Sequence, residues 1–353
     1  MDLELRTELA VRGLRSRPPV SRRAGAGPSD DGHWSLGGAA TALPMKGDSP
    51  FELRDGGVLT RDGVVVEDAL LEPVDRPRFY DLQTADGIPY EKLARLHGTD
   101  VLATTVVQTC IRYTQESTRC RFCTIEESLR AGATTQVKRP DQIAEVAAAA
   151  VRLDGVRQVV MTTGTSNGPD RGAKHLAKCV RAVREAVPGL PVQVQIEPPI
   201  DLAWITALHE AGAAAVGIHV ESLDESVRRR WTPGKATVPL HRYDEAWREA
   251  VRVFGRNRVS TYLLVGLGED SDELVAGAER LIAMGVYPFV VPYRPLQGSL
   301  ANADGVPAPD PMTLTEVTKR VAGALRAAGM RGADQGAGCA ACGACSALCG
   351  AGG

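Results

Sequence analysis

The sequence lacks three features that would place it in a class at once: a long apolar run, an excess of one charge and a secretory leader. No stretch of 18 apolar residues occurs in its 353 residues, so we expect no membrane-spanning helix. Lys and Arg number 41 against 43 Asp and Glu, which gives no general reason to bind nucleic acid or an acidic membrane. The first residues form neither a basic nor an apolar leader, so we expect a cytoplasmic protein.

Cysteine is the informative residue type. Seven of the eight cysteines fall into two tight groups, which are Cys110, Cys120 and Cys123, and then Cys339, Cys342, Cys345 and Cys349. A disulfide framework is typical of small secreted chains, and this chain is neither small nor visibly secreted. The clustered thiols therefore predict metal or redox sites.

Apolar patterning divides the chain into three parts. Residues 1–99 are predicted to form an N-terminal extension that is irregular at first and has a small β-meander at 51–68, where turn residues separate short β-branched runs. Residues 100–330 alternate six apolar strand candidates with amphipathic helix candidates, which predicts a parallel sheet covered by helices. Residues 331–353 form a cysteine-rich C-terminal tail.

Six strand–helix units are too few for a closed eightfold barrel. Two α/β arrangements fit the count: an open, partial (β/α)6 TIM-like barrel and a doubly wound sheet. In both arrangements the ligand site lies at the carboxyl ends of the strands. Polar and glycine-containing segments follow the predicted strands there, so we expect the functional site at that end.

The tail differs in composition from the rest of the chain. Residues 332–353 include seven Gly, seven Ala and four Cys, and Leu348 is their one large apolar side chain. Such a segment by itself buries too little surface to offset the entropy lost on ordering. We therefore expect the tail to be disordered unless a group bound by its thiols folds it.

The first cysteine group suggests a metal cluster. Cys110 follows the first strand of the series, and nine residues separate it from Cys120-Arg121-Phe122-Cys123. Three thiolates on one loop can hold three irons of a cubane cluster and leave the fourth iron open to a chelating ligand. Such an iron can bind S-adenosylmethionine (SAM) for reductive cleavage. A zinc site with a fourth ligand elsewhere is the alternative.

This loop resembles that of the radical SAM superfamily, whose usual motif is C-x3-C-x-Φ-C with an aromatic residue at Φ. Phe122 stands at the aromatic position, which in the family packs near the adenine of SAM. The first spacing is nine residues instead of three, as it is in the radical SAM part of Elongator-type tRNA-modifying enzymes. The resemblance implies a [4Fe–4S] cluster on Cys110, Cys120 and Cys123, with SAM bound to it.

Further segments are similar to the SAM-contacting motifs of the superfamily. Thr162–Thr165 stands in place of a G-G-E motif, whose carboxylate this sequence lacks, and Val265–Glu269 resembles a G-x-I-x-G-x-x-E motif. Glu221 matches an acidic residue that reaches SAM, and Arg242 matches an arginine that meets the SAM carboxylate in the biotin-synthase-like branch. The resemblance implies SAM contacts from Phe122, Thr163, Gly164, Glu221, Arg242, Gly266 and Gly268.

The order of elements is closest to the biotin-synthase-like branch. Over nearly its whole length the chain resembles a radical SAM family that is encoded beside a nitrilase in bacterial gene clusters. Residues 22–32, residues 78–82 and the loop 109–129 carry that resemblance. It points to nitrile or nitrogen metabolism, and it gives no particular substrate. The superfamily also implies flavodoxin or ferredoxin as the reductant.

The second cysteine group has the spacing of a bacterial ferredoxin run, C-x2-C-x2-C-x3-C, with Gly350 where a proline usually follows. In two-cluster ferredoxins the fourth cysteine serves the other cluster, so either Cys349 or a non-protein group completes the site. We expect a second [4Fe–4S] cluster that relays electrons, binds substrate or donates sulfur. A zinc knuckle and a disordered thiol tail are the alternatives.

The sequence thus predicts a radical SAM enzyme that acts on a small, unidentified substrate. Three alternatives stay open: sulfur insertion of the biotin-synthase type, tRNA modification, and a non-enzymatic iron–sulfur or zinc protein. The balanced charge and the lack of a fused acetyltransferase argue against tRNA. A carrier that uses only its tail would not need six strand–helix units with a cysteine loop at their carboxyl end.

Overall fold

A computed structural model describes residues 2–16, 33–348 and 351. The β-strands are β1 Arg15–Ser16, β2 His33–Leu36, β3 Ala39–Ala42, β4 Phe51–Leu53, β5 Val58–Arg61, β6 Val64–Pro73, β7 Arg95–His97, β8 Val101–Thr105, β9 Gln158–Thr162, β10 Val192–Ile196, β11 Ala215–Ile218, β12 Val259–Val265 and β13 Val286–Pro292. The α-helices are α1 Leu3–Arg12, α2 Glu127–Arg130, α3 Pro140–Asp154, α4 Ala173–Ala186, α5 Ala203–Glu210, α6 Glu225–Trp231, α7 Pro233–Ala236, α8 Leu240–Phe254, α9 Ser271–Met284, α10 Leu300–Ala303, α11 Pro311–Ala327 and α12 Cys339–Cys342. Residues 22–32, which carry part of the family resemblance, and Cys349 lie outside the described residues.

The strands β8 to β13 form one parallel sheet in which spatial order follows chain order, and β7 adds an antiparallel edge to β8. A doubly wound sheet reverses its strand order at a switch point, whereas a barrel keeps it. Strands β7 and β13 are the two edges of this sheet, so the barrel is open. The open (β/α)6 barrel is therefore confirmed, and the doubly wound alternative is wrong.

The barrel strands are buried on both faces, which explains their apolar character. Alternate side chains such as Val194 on β10 belong to the core shared with the surrounding helices. The residues between them face the barrel interior, and several of these are polar, as Gln193 and Gln195 show by contacting Cys339 of the tail. Polar residues on an interior face mean that something other than side-chain layers fills this part of the barrel.

A second sheet lies in the N-terminal part, with strand order β1-β4-β5-β6-β2-β3 and a separate small core that includes Phe51 and Leu71. Strands β4 to β6 are antiparallel and occupy the predicted meander region. The irregular conformation expected before residue 50 is wrong for α1, β2 and β3. Tertiary contacts stabilise α1, since Thr7 Oγ1 lies 2.6 Å from Thr315 Oγ1 on α11.

The tail packs inside the barrel. Small side chains such as Ala340 and Ala344 are buried, as is Leu348. The Gly338 amide donates to Gln158 Oε1 at 2.7 Å, and Ser346 Oγ donates to the Val290 carbonyl at 2.5 Å. The barrel interior therefore supplies burial and hydrogen-bond partners to the described residues of the tail, which its own composition does not provide.

Candidate functional site

The first cysteine loop lies at the carboxyl ends of the barrel strands. Cys110, Cys120 and Cys123 are free thiols and are partly buried. Burial raises the pKa of the Cys120 thiol, and it raises the pKa of Cys123 to about 11. Within the described ranges, no three His, Cys, Asp or Glu side chains are spaced to hold a single metal ion. The donor set of three thiols on one loop fits a cluster, because thiolates are the usual ligands of iron–sulfur clusters.

A buried ion pair fixes the nine-residue insertion between the first two cysteines. Arg112 donates to both carboxylate oxygens of Glu197, at the end of β10. Both side chains are almost fully buried, and Thr165 Oγ1 donates to the same carboxylate at 2.9 Å. The insertion is thus tied to the ends of two barrel strands. Arg112 was not singled out from the sequence, because it belongs to no local motif, and Glu197 was noted only as part of a polar segment that follows a predicted strand.

Arg119 provides a second attachment for the insertion. Its guanidinium donates to the Tyr113 hydroxyl at 2.6 Å, the Cys123 carbonyl at 3.0 Å and the Gly298 carbonyl at 2.7 Å. It also lies over the Tyr113 ring, 3.8 Å from the centroid. These contacts therefore hold the cysteine loop in place despite the nine-residue spacing.

Thr163 and Gly164 follow β9, and Gly164 contacts the start of the cysteine loop. The Gly164 amide donates to the Val107 carbonyl at 2.8 Å. A Cβ at position 164 would lie 2.0 Å from the Thr109 carbonyl oxygen, so only glycine permits this approach. This segment has no carboxylate of its own. The carboxylate of Glu197 lies beside it and accepts a hydrogen bond from the neighbouring Thr165.

Glu221 forms an ion pair with Lys235, a residue that the sequence analysis missed. Lys235 Nζ donates to Glu221 Oε1 at 2.7 Å and to the His219 carbonyl at 3.2 Å. Burial opposes the charge on Lys235, but Glu221 and the neighbouring Tyr243, Cys120 and Glu197 together outweigh it, so the pKa of Lys235 is raised. The charge of Lys235 acts on the thiols of Cys120 and Cys123, which shows that the pair lies beside the cysteine loop.

A cavity of about 430 Å³, the central cavity, lies inside the barrel beneath the loop. Phe122 and Cys123 of the first cysteine loop line it. His97 and Cys345 line it as well, so the second cysteine group faces the same space. About half of the other lining side chains are aliphatic or aromatic and the rest are polar or charged, but most of the exposed surface of the wall is apolar, as is typical of small-molecule sites.

Two aromatic rings stack in the wall of the central cavity. His219 and Tyr262 have ring centroids 4.0 Å apart and planes 13° apart. The Tyr262 amide donates to His219 Nδ1 at 3.2 Å, so the proton of the neutral imidazole is on Nε2. Burial lowers the pKa of His219 to about 3. His219 Nε2 is buried and has no hydrogen-bond partner among the described residues, which makes it a candidate donor to a ligand.

Of the remaining predicted SAM contacts, some line the central cavity and others do not. Glu221 lines the central cavity, whereas Arg242 does not. Arg242 lies on the first turn of α8, where it pairs with Glu245 and donates to the Ile200 carbonyl at 3.0 Å. Gly266 and Gly268 follow β12 with positive φ values of 104° and 101°. Their roles, like that of Arg242, stay predictions.

Among the described tail cysteines, Cys345 lines the central cavity, and Cys339 contacts Tyr262 in the cavity wall. Cys339 Sγ accepts from Tyr262 Oη at 2.8 Å and from Gln195 Nε2 at 3.2 Å. Cys342 and Cys345 are both in contact with His97. Burial raises the pKa of Cys345 to about 11. These thiols also fit a cluster by donor type.

Together these features define an open α/β barrel whose central cavity is lined by a cysteine from each of two groups suited to iron–sulfur clusters. Residues 117–282 match the family described as the "Radical SAM superfamily", so this part of the chain is a radical SAM domain. The matched region contains Cys120 and Cys123 and begins after Cys110. Membership of this superfamily implies a [4Fe–4S] cluster and SAM.

Several curated proteins are similar to part of the chain. The bacteriochlorophyllide c C-7(1)-hydroxylase of Chlorobaculum limnaeum is 28% identical over 221 residues, covering 58% of this chain and 54% of that protein. The lipoyl synthase of Thermus thermophilus is 31% identical over 197 residues, covering 54% and 58%. The chain thus spans little more than half the length of these relatives.

The comparison with solved structures finds, among others, the FeFe-hydrogenase maturase HydG from Carboxydothermus hydrogenoformans. It has a TM-score of 0.48 and 18% identity, and the match covers 64% of this chain and 50% of that chain.

No helix in the described part of the chain is long and apolar enough to cross a membrane.

Proposed function

We propose that the protein is a radical SAM enzyme that acts on a small molecule held in the central cavity. The observation that carries the proposal is that Phe122 and Cys123, from the predicted cluster loop, line this cavity directly. The [4Fe–4S] cluster and SAM, when bound, supply a 5′-deoxyadenosyl radical for hydrogen abstraction. An external low-potential reductant, flavodoxin or ferredoxin, would supply the electron.

The chain's own residues would bind and orient these groups. Cys110, Cys120 and Cys123 hold the cluster, and the Arg112–Glu197 pair keeps their loop in place. The predicted SAM contacts are Phe122, Thr163, Gly164, Glu221, Arg242, Gly266 and Gly268. Lys235 lies beside Glu221 and the cysteine loop, which gives it the charge and position to attract the SAM carboxylate.

The cavity wall limits the substrate class. A volume of about 430 Å³ suits a small molecule, and the mainly apolar wall favours a largely apolar one. His219 offers one donor for an acceptor atom on the substrate, and Arg294 adds a positive charge to the lining. The resemblance to the nitrilase-associated family favours a substrate from nitrile or nitrogen metabolism.

Formation of 5′-deoxyadenosine tests this function. The protein is reconstituted anaerobically with iron and sulfide, SAM and dithionite are added, and the nucleoside is quantified by chromatography. We expect production by the wild type and none by a Cys110/Cys120/Cys123→Ala variant. Cys179→Ala is the matched control, since Cys179 is buried on α4 away from both groups, and it should retain activity. Equal nucleoside formation by the triple variant, or none by the wild type, would contradict the proposal.

Sulfur insertion is the second candidate function. Cys345 lines the same cavity as Cys123, so a cluster on the tail would face a bound substrate. Several of the similar curated proteins are lipoyl synthases. The tail is reconstituted with ³⁴S-sulfide, and the enzyme is incubated with SAM, dithionite and a bacterial small-molecule extract. Sulfide loss that rises with 5′-deoxyadenosine formation, and ³⁴S in a small product, would support insertion. Full retention of sulfide during nucleoside formation would rule it out.

A further inference from the structure

Lys138 is a buried lysine behind the wall of the central cavity, close to the first cysteine loop. The residue is 2% exposed, and burial lowers its pKa to about 7. Its Nζ donates to the Thr105 carbonyl at 2.6 Å and to Gln108 Oε1 at 3.3 Å. Both acceptors are neutral oxygens. Burial of an amine beside neutral acceptors is costly, and an apolar side chain would fill the same space at a lower cost, so packing alone does not account for a lysine here.

The backbone of Lys138 is held from two sides. The Lys138 amide donates to the Val106 carbonyl at 2.9 Å, and the Gln108 amide donates to the Gln136 carbonyl at 2.8 Å. Both bonds belong to a short antiparallel pairing just after β8. On the other side, His175 Nε2 lies 2.9 Å from the Lys138 carbonyl. The lysine is therefore directed at the Gln108 side chain by contacts that do not involve the cysteine loop.

Gln108 connects Lys138 to the cysteine loop. Its Nε2 donates to the Ile125 carbonyl at 2.7 Å. A lysine can only donate and a carbonyl can only accept, so the amide is fixed with Oε1 toward Lys138 and Nε2 toward Ile125. Ile125 lies two residues after Cys123, and its own amide donates to the Cys123 thiol. Burial raises the pKa of Cys123, and this hydrogen bond opposes the rise. A continuous series of contacts thus runs from Lys138 to a predicted cluster ligand.

We propose that Lys138 is a positioning residue for the cluster of the first cysteine loop and acts through Gln108 and Ile125. This inference rests on the proposed function, because it needs a [4Fe–4S] cluster on that loop. By fixing the orientation of the Gln108 amide, Lys138 holds in place the residue whose N–H donates to Cys123. A donor to a cluster sulfur stabilises the reduced, more negative state and so raises the reduction potential. Lys138 therefore makes the cluster easier to reduce.

The test compares Lys138→Met and Gln108→Leu in the full-length protein, which is reconstituted anaerobically with iron and sulfide. The EPR signal that changes on addition of SAM identifies the cluster of the first loop, and a redox titration of that signal without SAM gives its potential. We expect each substitution to make reduction about tenfold less favourable, the scale of one hydrogen bond to a charged group. This is a shift of about 59 mV to lower potential for a one-electron couple. Lys138→Met in the Gln108→Leu background should add little, because the lysine acts through the amide.

A second readout separates positioning from the charge of the lysine. Proton ENDOR of the reduced cluster measures the coupling of the N–H proton that Ile125 donates, which is assigned by its loss in protein exchanged into D2O. We expect this coupling to be weaker in both single variants. If only the charge of Lys138 mattered, Lys138→Met would shift the potential equally in both backgrounds and leave the coupling unchanged.

Lys174→Met is the matched control, because it removes an exposed lysine on α4 and should change neither the potential nor the coupling. An unchanged potential in Gln108→Leu would overturn the proposal, and this result is available even if Lys138→Met does not fold. Equal shifts from Lys138→Met in both backgrounds would overturn it too, as would a loss of thermal stability at an unchanged potential, which would leave Lys138 a purely structural role. A wild type that holds no cluster on the first loop would overturn the proposed function and this inference together. A cluster whose potential ignores both substitutions would overturn this inference alone.

Discussion

The two cysteine groups border one cavity, yet different interactions hold them. Charged side chains fix the first loop, chiefly the buried pair of Arg112 with Glu197 and the three hydrogen bonds of Arg119. Hydrogen bonds to the backbone and close packing of small side chains hold the tail, as in the bond from the Gly338 amide to Gln158 and the bond from the buried Arg6 guanidinium to the Gly343 carbonyl. The loop is a long insertion that needs strong directional contacts, whereas the tail fits into a shape that the barrel already provides.

This comparison predicts that removal of one charge disturbs the loop more than any single change disturbs the tail. Glu197→Gln leaves the Arg112 charge buried without its partner, so the free energy of unfolding should fall by about 3–5 kcal/mol. Urea denaturation measures the change. Asp304→Asn is the control, because its pair with Arg121 is half exposed and contributes less than about 1 kcal/mol. Similar losses in both variants would contradict the comparison.

The tail should respond to shape more than to charge. Gly338 has a φ of 118°, and a Cβ there would lie 2.2 Å from Gln193 Nε2. Gly338→Ala should therefore cost about 1–3 kcal/mol and lower the iron bound by the tail, while iron on the first loop is retained. Iron analysis checks this in two variants, one that keeps only the first cysteine group and one that keeps only the tail cysteines. Gly323→Ala in α11 has room for a methyl group and should change neither site.

A smaller effect is expected from the amide contacts of the tail. Gln158→Leu removes the acceptor of the Gly338 amide, and an unpaired buried N–H costs about 1–2 kcal/mol. Faster tryptic cleavage at the exposed Arg331 would report the loosened tail. The same substitution at the exposed Gln136 should leave the cleavage rate unchanged. Cleavage at the wild-type rate in Gln158→Leu would show that this bond does not hold the tail.

The pH dependence of stability should arise at the loop end of the barrel, where Glu269 follows β12. Burial raises the pKa of Glu269 to about 7. Its folded-state pKa lies above its unfolded value, so the stabilisation present below about pH 4.5 is lost as pH rises through 7. The free energy of unfolding of Glu269→Gln should equal that of the wild type near pH 5 and be about 1 kcal/mol higher at pH 8. Glu116→Gln, at an exposed position, serves as the control, and an identical pH profile for Glu269→Gln and the wild type would contradict the assignment.

Local patterns in the sequence were enough to predict the barrel and the cysteine loop. Strands such as Val259–Val265 are apolar runs because both of their faces are buried, and such runs are visible without a structure. The positions of Lys235 and His97 beside the cysteine groups could not be predicted from local patterns. Each acts on residues far away in the chain, and no local spacing relates them to Cys120 or Cys345.

The sequence by itself determined the number and order of the strand–helix units, the two cysteine groups and the resemblance to radical SAM enzymes, since each is encoded by residues near one another in the chain. Only the tertiary structure showed that the strands of the sheet follow one another in chain order, that the barrel is open and that the tail enters it. Only the structure placed Cys123 and Cys345 on one cavity. The tail's burial and hydrogen bonds come from barrel residues such as Gln158 and Gln193, 146 or more positions away, so composition alone could not reveal them.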